Sequence, residues 1–124
     1  MSEILNAKVT GTSIESEDHG ILTCWLFLEG GGWGCGFGGY TLDDYDTSLK
    51  CRVATSAGFE AIRKIMDTLE VNRWEDIAGN YIRCEFEKGL SGGITRIGHI
   101  LKNKWFSFDE HFEAARAKRK IKEE

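Results

Sequence analysis

The sequence predicts an α+β domain in which an antiparallel sheet, built from two β-hairpins, packs with one central and one C-terminal helix. Two apolar segments separated by a short turn open the chain, an amphipathic segment follows in the middle, and a second pair of strand-like segments precedes a charged amphipathic end. The expected order is β-β-loop-α-β-β-α, and grouped strands of this kind are typical of α+β proteins. The 124 residues suffice for one core, so we expect residues 1–124 to form a single ligand-binding domain.

The first hairpin is predicted from "AKVTGTSIES" and "ILTCWLFLEG", which are joined by the turn "ESEDHG". In the second segment Cys24, Leu26 and Leu28 face one way, and Trp25 and Phe27 face the other. A strand that is apolar on both faces lies centrally in a sheet, or has its second face covered by a helix or another subunit. All of these arrangements remain open at this point.

The central helix is predicted over "SAGFEAIRKIMDTLE", residues 56–70. Thr55 and Ser56 are candidate N-caps, and Glu60 supplies the acid expected in the first turn. Apolar residues recur at helical spacing and predict one buried stripe. The stripe consists of Phe59, Ile62, Ile65, Met66 and Leu69.

The second hairpin is predicted from "YIRCEFEK" and "ITRIGHILKN", with "GLSGG" as the turn between them. Ile82, Cys84 and Phe86 alternate with polar residues and therefore face the core. The connector "VNRWEDIAG" before this hairpin is anchored by Trp74. The final segment "FSFDEHFEAARAKRKIKEE" predicts a helix that is capped near Ser107, with acids early and bases late.

Composition and charge narrow the class of protein. A net charge of −4 argues against non-specific coating of DNA or RNA. The four cysteines, Cys24, Cys35, Cys51 and Cys84, lack the close spacing of a zinc site, and we expect free thiols. Residues 1–14 are polar, and no segment approaches the ~20 apolar residues of a membrane span. We therefore expect a cytoplasmic protein.

The glycine-rich segment "GGGWGCGFGGYTLDDYD", residues 30–46, is the most unusual part of the chain. Its glycines satisfy the pattern G-x-G-x-x-G, but "YTLDDYD" follows instead of a helix, which excludes a dinucleotide fingerprint. One interpretation is a platform on which a base stacks, formed by Trp33 and Phe37 among glycines that allow close backbone approach to a ligand or to a neighbouring chain. The other is a bulged, twisted strand that curls over the core.

A candidate anion site follows the glycine-rich segment. Arg52, Thr55 and Ser56 bring a cation, two hydroxyl groups and the backbone amides of a helix start together. Arg83 and Arg96 lie on the two arms of the second hairpin and could add a phosphate contact. The alternatives are an ordinary capped helix beside a surface arginine, and an ion pair with Glu85 and its neighbours.

The sequence contains no pattern that predicts an enzyme. It has neither a nucleophile elbow nor an H-E-x-x-H pair. His19 falls in a turn and His99 in a strand, where a hydrogen-bonded structural role is common. Asp43, Asp44 and Asp46 lack the closing glutamate of an EF-hand loop. We expect no catalytic residue, metal or cofactor.

Five segments together resemble a family of small phage and prophage proteins that includes, or lies near, the anti-Thoeris sponge proteins. The resemblance covers most of the chain. The segments are "EDHG" (17–20), "GFGGYTLD" (36–43), "TSAGFEAI" (55–62), "WEDIAGNYIR" (74–83) and "IGHILKNKWF" (97–106).

The resemblance implies a homo-oligomeric protein in an infected or lysogenic bacterial cell that sequesters a cyclic ADP-ribose isomer, and in some members cyclic oligonucleotides, without cleaving them. Neither duplex nucleic acid nor membrane is an expected partner. The alternatives are a module that blocks a host protein through its exposed aromatics and basic last helix, and a small nucleotide-processing enzyme. The expected ligand-binding residues are Trp33, Phe37, Gly38, Gly39, Tyr40, Arg52, Thr55, Ser56 and Arg96.

Overall fold

The computed structural model describes residues 2–123, apart from the side chains of residue 18 and residues 119–123. It confirms the predicted class, because an antiparallel sheet is combined with two helices. The strands are β1 (Glu3–Glu17), β2 (Ile21–Gly30), β3 (Trp33–Gly38), β4 (Asp43–Asp46), β5 (Cys51–Ala54), β6 (Tyr81–Phe86), β7 (Arg96–Gly98) and β8 (Trp105–Phe106). The helices are α1 (Ser56–Leu69) and α2 (Phe108–Glu123).

The main sheet has six strands in the order β3-β2-β1-β6-β7-β8, and β4 and β5 form a separate two-stranded ribbon. β1 is the long central strand, since it pairs with β2 along most of its length and with β6 from Glu3 to Lys8. A bulge between Val9 and Gly11 shifts its register against β2. The pairing of β1 with β6 joins the two predicted hairpins into one sheet.

The glycine-rich segment contains more regular structure than the loop expected from the sequence. Gly31 and Gly32 form a tight turn, with Gly32 at a φ of 80°, and β3 returns along β2. Asp43 then begins the β4–β5 ribbon, in which Asp43 pairs with Ala54. Of the two interpretations of this segment, the strand therefore applies to Trp33–Gly38, the part that forms β3.

One face of the sheet carries the core. Apolar side chains of β1, β2 and β6 are buried there, among them Val9, Leu26, Ile82 and Phe86, which are each at most 1% exposed. The alternate residues lie on the opposite face, which we call the open face. Phe27 on this face is 43% exposed, so the described part of the chain leaves much of its side chain uncovered. One of the arrangements expected for β2 was a position inside the sheet, and the structure shows it between β3 and β1.

Helix α1 begins at Ser56 as predicted, but it presents a different face to the core. The prediction of an acid in its first turn is wrong, because Glu60 lies just beyond that turn. Thr55 is the N-cap, and its Oγ1 accepts a hydrogen bond from the Gly58 amide at 3.0 Å. Phe59, which we placed in the buried stripe, is 77% exposed, whereas Gly58 and Ala61 are buried. The prediction for Phe59 is wrong because Gly58 packs directly on the Leu42 carbonyl, which turns Phe59 outward.

All four cysteines are free, and burial raises the pKa of Cys24 and of Cys84 to about 12. Within residues 2–123, neither helix has the length and hydropathy needed to cross a membrane. The basic side chains at positions 119, 120 and 122, which belong to the basic end expected of the last helix, lie outside the described residues.

Candidate ligand-binding groove

An open groove of about 980 Å³ lies between the start of α1, the β4–β5 ribbon and one side of α2. We call it the α1–α2 groove. The residues that line it include Tyr40, Asp43, Asp44, Thr55, Ser56, Ala57, Glu60, Lys64, Asp109, His111, Phe112, Arg116 and Lys118. Three expected ligand-binding residues, Tyr40, Thr55 and Ser56, are thus brought together here.

The first turn of α1 supplies backbone donors to this groove. The Gly58 amide donates to Thr55 Oγ1 and the Phe59 amide to the Thr55 carbonyl. Because the first amides of a helix have no partner within it, those of Ser56 and Ala57 remain for another acceptor. The Thr55 hydroxyl has no proton left for a ligand, since it donates to the Leu42 carbonyl at 2.8 Å. Thr55 therefore builds the start of the helix, and Ser56 and Ala57 line the groove beside it.

Tyr40 forms the aromatic wall of the groove. Its ring stacks on Phe108 with centroids 4.7 Å apart and lies 6.1 Å from the ring of Phe112, which also lines the groove. The hydroxyl donates to Asp109 Oδ1 at 2.9 Å. Burial and this bond to a carboxylate raise the pKa of Tyr40 to about 12. The phenol therefore stays neutral near pH 7, and its ring is held flat against its neighbours.

His111 links α2 to the start of α1. Its Nε2 lies 2.7 Å from the Ala57 carbonyl, which can only accept, so Nε2 carries the proton. The residue is 7% exposed, and its Nδ1 has no hydrogen-bond partner in the described part of the chain. In the neutral ring Nδ1 is an acceptor. This acceptor is shielded from solvent and unpaired, which is uncommon for a buried polar atom.

Arg52 does not point to this groove as a free cation. Its Nε and Nη2 donate to Asp43 Oδ1 at 3.0 and 2.7 Å, and Nη2 also donates to the Asp43 carbonyl. The pairing lowers the pKa of Asp43 and raises that of Arg52. Among the residues whose side chains the structure describes, the cations that line the groove are instead Lys64, Arg116 and Lys118.

Trp33 and Phe37 lie apart from the groove. Phe37 is 4% exposed and packs against Phe108 with ring centroids 5.0 Å apart. Phe37 is therefore a core residue, and its ring has no free face for a base. Trp33 meets Phe86 edge to face at 5.3 Å and borders a shallow depression beside the β2–β3 turn.

Gly38 and Gly39 are required by the close packing of β3 on β2. A Cβ on Gly38 would lie 2.1 Å from the Cys24 carbonyl oxygen, and one on Gly39 would lie 2.5 Å from the Trp25 ring. Both glycines also have positive φ, of 139° and 81°. Close approach does occur at these two positions, but the neighbour is the chain itself.

Arg96 lies on the open face, where it pairs with Glu85 and stacks over the Trp105 ring at 4.3 Å. Arg83 lies over the same ring at 4.5 Å and donates to the carbonyls of His99 and Lys102. The ion pair with Glu85, which was one alternative for Arg96, is therefore present. This cluster fixes the end of the sheet and does not border the groove.

His99 has a structural role, because its Nδ1 accepts the amides of Leu101 and Lys102 at 3.1 Å each. No group of three or more His, Cys, Asp and Glu residues within the described part of the chain could hold a metal ion.

The sequence reasoning missed the contribution of α2 to the groove, above all that of His111, Phe112 and Arg116. Their spacing of one and four residues places them on neighbouring sides of one helix, which was a detectable signal. What the sequence did not reveal was that this side of α2 lies against the start of α1.

Comparison with known protein families, curated proteins and solved structures finds no match for this chain.

Proposed function

We propose that this chain is a binding protein that holds a small nucleotide-derived ligand in the α1–α2 groove and sequesters it without cleavage. One observation carries the proposal: Ser56 and Ala57, whose amides have no partner within the helix, line the same groove as Tyr40 and Phe112. Helix amides at an N-terminus bind phosphate oxygens, and aromatic rings stack on bases. The groove volume of about 980 Å³ falls near the upper end of the roughly 300–1,000 Å³ typical of ligand sites.

Each part of a nucleotide has a counterpart in the groove. A phosphate lies at the start of α1, where Arg116 and Lys118 add positive charge from α2. A base packs against Tyr40 and Phe112 at the aromatic wall. A ribose lies beside His111, which lines the groove next to the start of α1.

The resemblance in sequence extends this proposal to a biological setting. It implies a cyclic ADP-ribose isomer as the ligand, with cyclic oligonucleotides as a further possibility, and a phage protein that removes an immune signal in the bacterial cytoplasm. Sequestration requires tight binding and no catalytic group. The protein then lowers the free concentration of the signal by occupancy alone.

Calorimetry with cyclic ADP-ribose isomers and cyclic dinucleotides tests the proposal, and Ser56→Pro is the sharpest variant. Proline is well tolerated at the first position of a helix, and Thr55 has a φ of −118° and a ψ of 148°, which suit a residue before proline. Ser56→Pro removes one amide donor to a charged group, and we expect it to weaken binding roughly tenfold or more. Ser56→Ala keeps the amide and is the matched control.

Arg96→Gln is a second control, because Arg96 lies outside the groove and its loss leaves binding unchanged. The bound ligand is then released by heat and analysed by mass spectrometry, and intact recovery separates sequestration from hydrolysis. The absence of heat with every nucleotide at micromolar protein, or equal affinities for Ser56→Pro and Ser56→Ala, would contradict the proposal.

A second candidate function is a protein–protein interaction module that inhibits a host factor. The observation in its favour is the aromatic pair on the open face, where Trp25 and Phe27 stack with centroids 6.2 Å apart while Phe27 stays 43% exposed. A pull-down from bacterial lysate distinguishes the two functions. A stoichiometric protein partner that Ser56→Pro retains and Phe27→Ser loses would favour this module.

A further inference from the structure

The loop that joins β7 to β8, residues 99–104, carries the most exposed large apolar side chain among the described residues. Leu101 is 85% exposed, ahead of Phe59 at 77%. A single exposed leucine is ordinary on a protein surface. Leu101 differs because the loop that displays it is held in place by the rest of the chain and lies in a positively charged region.

Hydrogen bonds hold this loop from three directions. The Nδ1 atom of His99 accepts the amides of Leu101 and Lys102 at 3.1 Å each. Arg83 on β6 donates to the carbonyls of His99 and Lys102 at 2.7 Å each. The Lys102 ammonium group contacts the carboxylate of Glu70, at the end of α1, at 2.8 Å. Leu101 is therefore presented in one position, and a partner that binds it has little backbone freedom to remove.

Tyr81 extends the apolar surface beside the loop. It is 60% exposed and belongs to β6, two residues before Arg83. Side chains two residues apart on a strand lie on the same face, roughly 7 Å from each other. Because Arg83 binds the loop, Tyr81 stands next to the loop on the open face. We call Tyr81, Arg83, Leu101 and Lys102 the corner surface.

The charge around the corner surface is positive, although the whole chain has a net charge of −4. Within the described residues Arg83 donates only to backbone carbonyls, so no carboxylate balances its charge. The two lysines of the loop share a single carboxylate, that of Glu70. The segment between Glu87 and Asp109 contains no acid and four cations, which are Lys88, Arg96, Lys102 and Lys104.

We propose that the corner surface binds an acidic segment of a partner protein. A bulky apolar side chain of that segment packs against Tyr81 and Leu101, and its carboxylates face Arg83 and Lys102. Tyrosine and arginine are enriched where protein interfaces concentrate their binding energy. Positive charge around the two apolar anchors attracts a negatively charged partner and orients it.

A single-stranded nucleic acid suits this surface less well. Its recognition depends on free aromatic faces on which bases stack. The Trp105 ring carries the guanidinium groups of Arg83 and Arg96 at 4.5 and 4.3 Å from its centroid, so it offers no such face. The negative net charge of the chain also repels a polyphosphate. A carboxylate-bearing protein segment is therefore the better match.

Selection from a random dodecapeptide display library, with the natural chain as bait, tests the proposal. We expect enriched peptides to combine two or more acidic residues with a bulky apolar residue. Fluorescence anisotropy of one such peptide then compares Leu101→Ser with Phe59→Ser, which changes a similarly exposed apolar residue on α1. Leu101→Ser weakens binding roughly tenfold or more, whereas Phe59→Ser leaves it unchanged. Both side chains are exposed, so both variants stay folded, which circular dichroism checks.

The charge requirement has its own measurement. Replacing the acidic residues of the selected peptide with glutamine or asparagine weakens its binding at least about tenfold, and so does raising the salt concentration from about 50 to 500 mM. In an NMR titration of the natural chain, the amides of Leu101 and Lys102 shift as the peptide is added.

Three results would overturn the proposal. The first is a selection that enriches no acidic peptide, and the second is equal affinity of Leu101→Ser and Phe59→Ser for the selected peptide. The third is a thymidine oligonucleotide that shifts the same amides at lower concentration than the peptide, which would assign the surface to nucleic acid. Shifts confined to Trp25 and Phe27 would place peptide binding on β2 and contradict it as well.

The selected peptide carries no nucleotide, and the corner surface lies outside the α1–α2 groove. Failure of these experiments would therefore leave the proposed function of the groove untouched, and the reverse also holds.

Discussion

Arg52 and Asp43 form an ion pair in which two guanidinium nitrogens meet the same carboxylate oxygen, at 3.0 and 2.7 Å. That oxygen also accepts the Leu22 amide at 3.3 Å. The pair thus ties the β4–β5 ribbon to β2 and holds one wall of the α1–α2 groove. An arginine expected from the sequence to contact a phosphate is engaged by the chain's own carboxylate.

Breaking this pair lowers stability. The Asp43 side chain is 9% exposed and the Arg52 side chain 23%, so removing one partner leaves the other largely buried without its closest counter-charge. We expect Arg52→Ala and Asp43→Asn each to lower the free energy of unfolding by about 1–3 kcal/mol in urea titrations. The double variant loses less than the sum of the two single variants. Additive losses would show that the two residues do not interact.

The same pair makes stability depend on pH. Arg52 holds the pKa of Asp43 below its ordinary value of 3.8. A lowered pKa in the folded state contributes stability that is complete above the ordinary value and is lost as the pH falls through the folded value. Urea titrations from pH 5 downward therefore show a steeper loss for the natural chain than for Arg52→Ala. Parallel losses in the two proteins would contradict this prediction.

Gly58→Ala destabilises the protein, although alanine normally stabilises a helix by roughly 0.5–1 kcal/mol relative to glycine. A Cβ at this position would lie 1.8 Å from the Leu42 carbonyl oxygen, which also accepts the Thr55 hydroxyl. The start of α1 must therefore move, and we expect a loss of about 1–3 kcal/mol, which thermal denaturation measures.

The matched control for this variant is Gly31→Ala, because nothing lies within 4 Å of a Cβ at that position. We expect an effect within about 0.5 kcal/mol, as for most surface substitutions. A Gly58→Ala variant as stable as the natural chain would mean that α1 does not rest on the Leu42 carbonyl.

Glu70 titrates at an unusually low pH. It ends α1 in a left-handed conformation with a φ of 57° and contacts the ammonium groups of Lys102 and Lys104 at 2.8 and 3.1 Å. Hydrogen bonds to the two lysines lower the pKa of Glu70 from 4.5 to about 2. The stabilisation from these contacts is complete above about pH 4.5 and disappears as the pH falls toward 2.

Carboxyl carbon shifts in an NMR titration measure this pKa directly. Replacing both Lys102 and Lys104 with methionine raises the midpoint of Glu70 toward its ordinary value, and replacing either one gives an intermediate midpoint. A midpoint near 4.5 in the natural chain would show that the lysines do not hold this carboxylate.

Tyr40 is expected to ionise last among the tyrosines in a spectrophotometric titration at high pH. Its pKa is raised to about 12, and a raised pKa in the folded state contributes stability below pH 10 that is lost as the pH rises toward 12. Asp109→Asn removes the charge and the acceptor carboxylate, and so lowers the pKa of Tyr40. Tyr40→Phe keeps the ring stacked on Phe108 and identifies the Tyr40 signal by difference. An unchanged last ionisation in Tyr40→Phe would contradict the assignment.

Local sequence patterns predicted the inward-facing residues of β6 and the start of α1. Period-two alternation found Ile82, Cys84 and Phe86, and a threonine before an apolar helix found the cap at Thr55. The rotation of α1 was not readable, since periodicity reports which residues are apolar and not which backbone they rest on. Only the contact between Gly58 and the Leu42 carbonyl decides that Phe59 faces outward.

The sequence predicted only part of the candidate site, because local patterns do not report contacts between distant residues. Tyr40, Thr55 and Ser56 lie near each other in the chain and meet in the groove. Arg52 is also close in sequence, but whether its charge is available depends on Asp43, which the β4–β5 pairing places beside it. His111 belongs to the site through a contact with Ala57, 54 residues earlier, which no local pattern reports.

The central position of β1 sets the order in which this chain can fold during synthesis. β1, β2 and β3 are consecutive and pair with their neighbours, so this meander can form as soon as Gly38 has left the ribosome. The other half of the sheet closes only when Glu3 meets Phe86. Contacts of such long sequence separation slow folding. Until then the edge of β1 that receives β6 stays unprotected, and this period is when the nascent chain is most prone to aggregate.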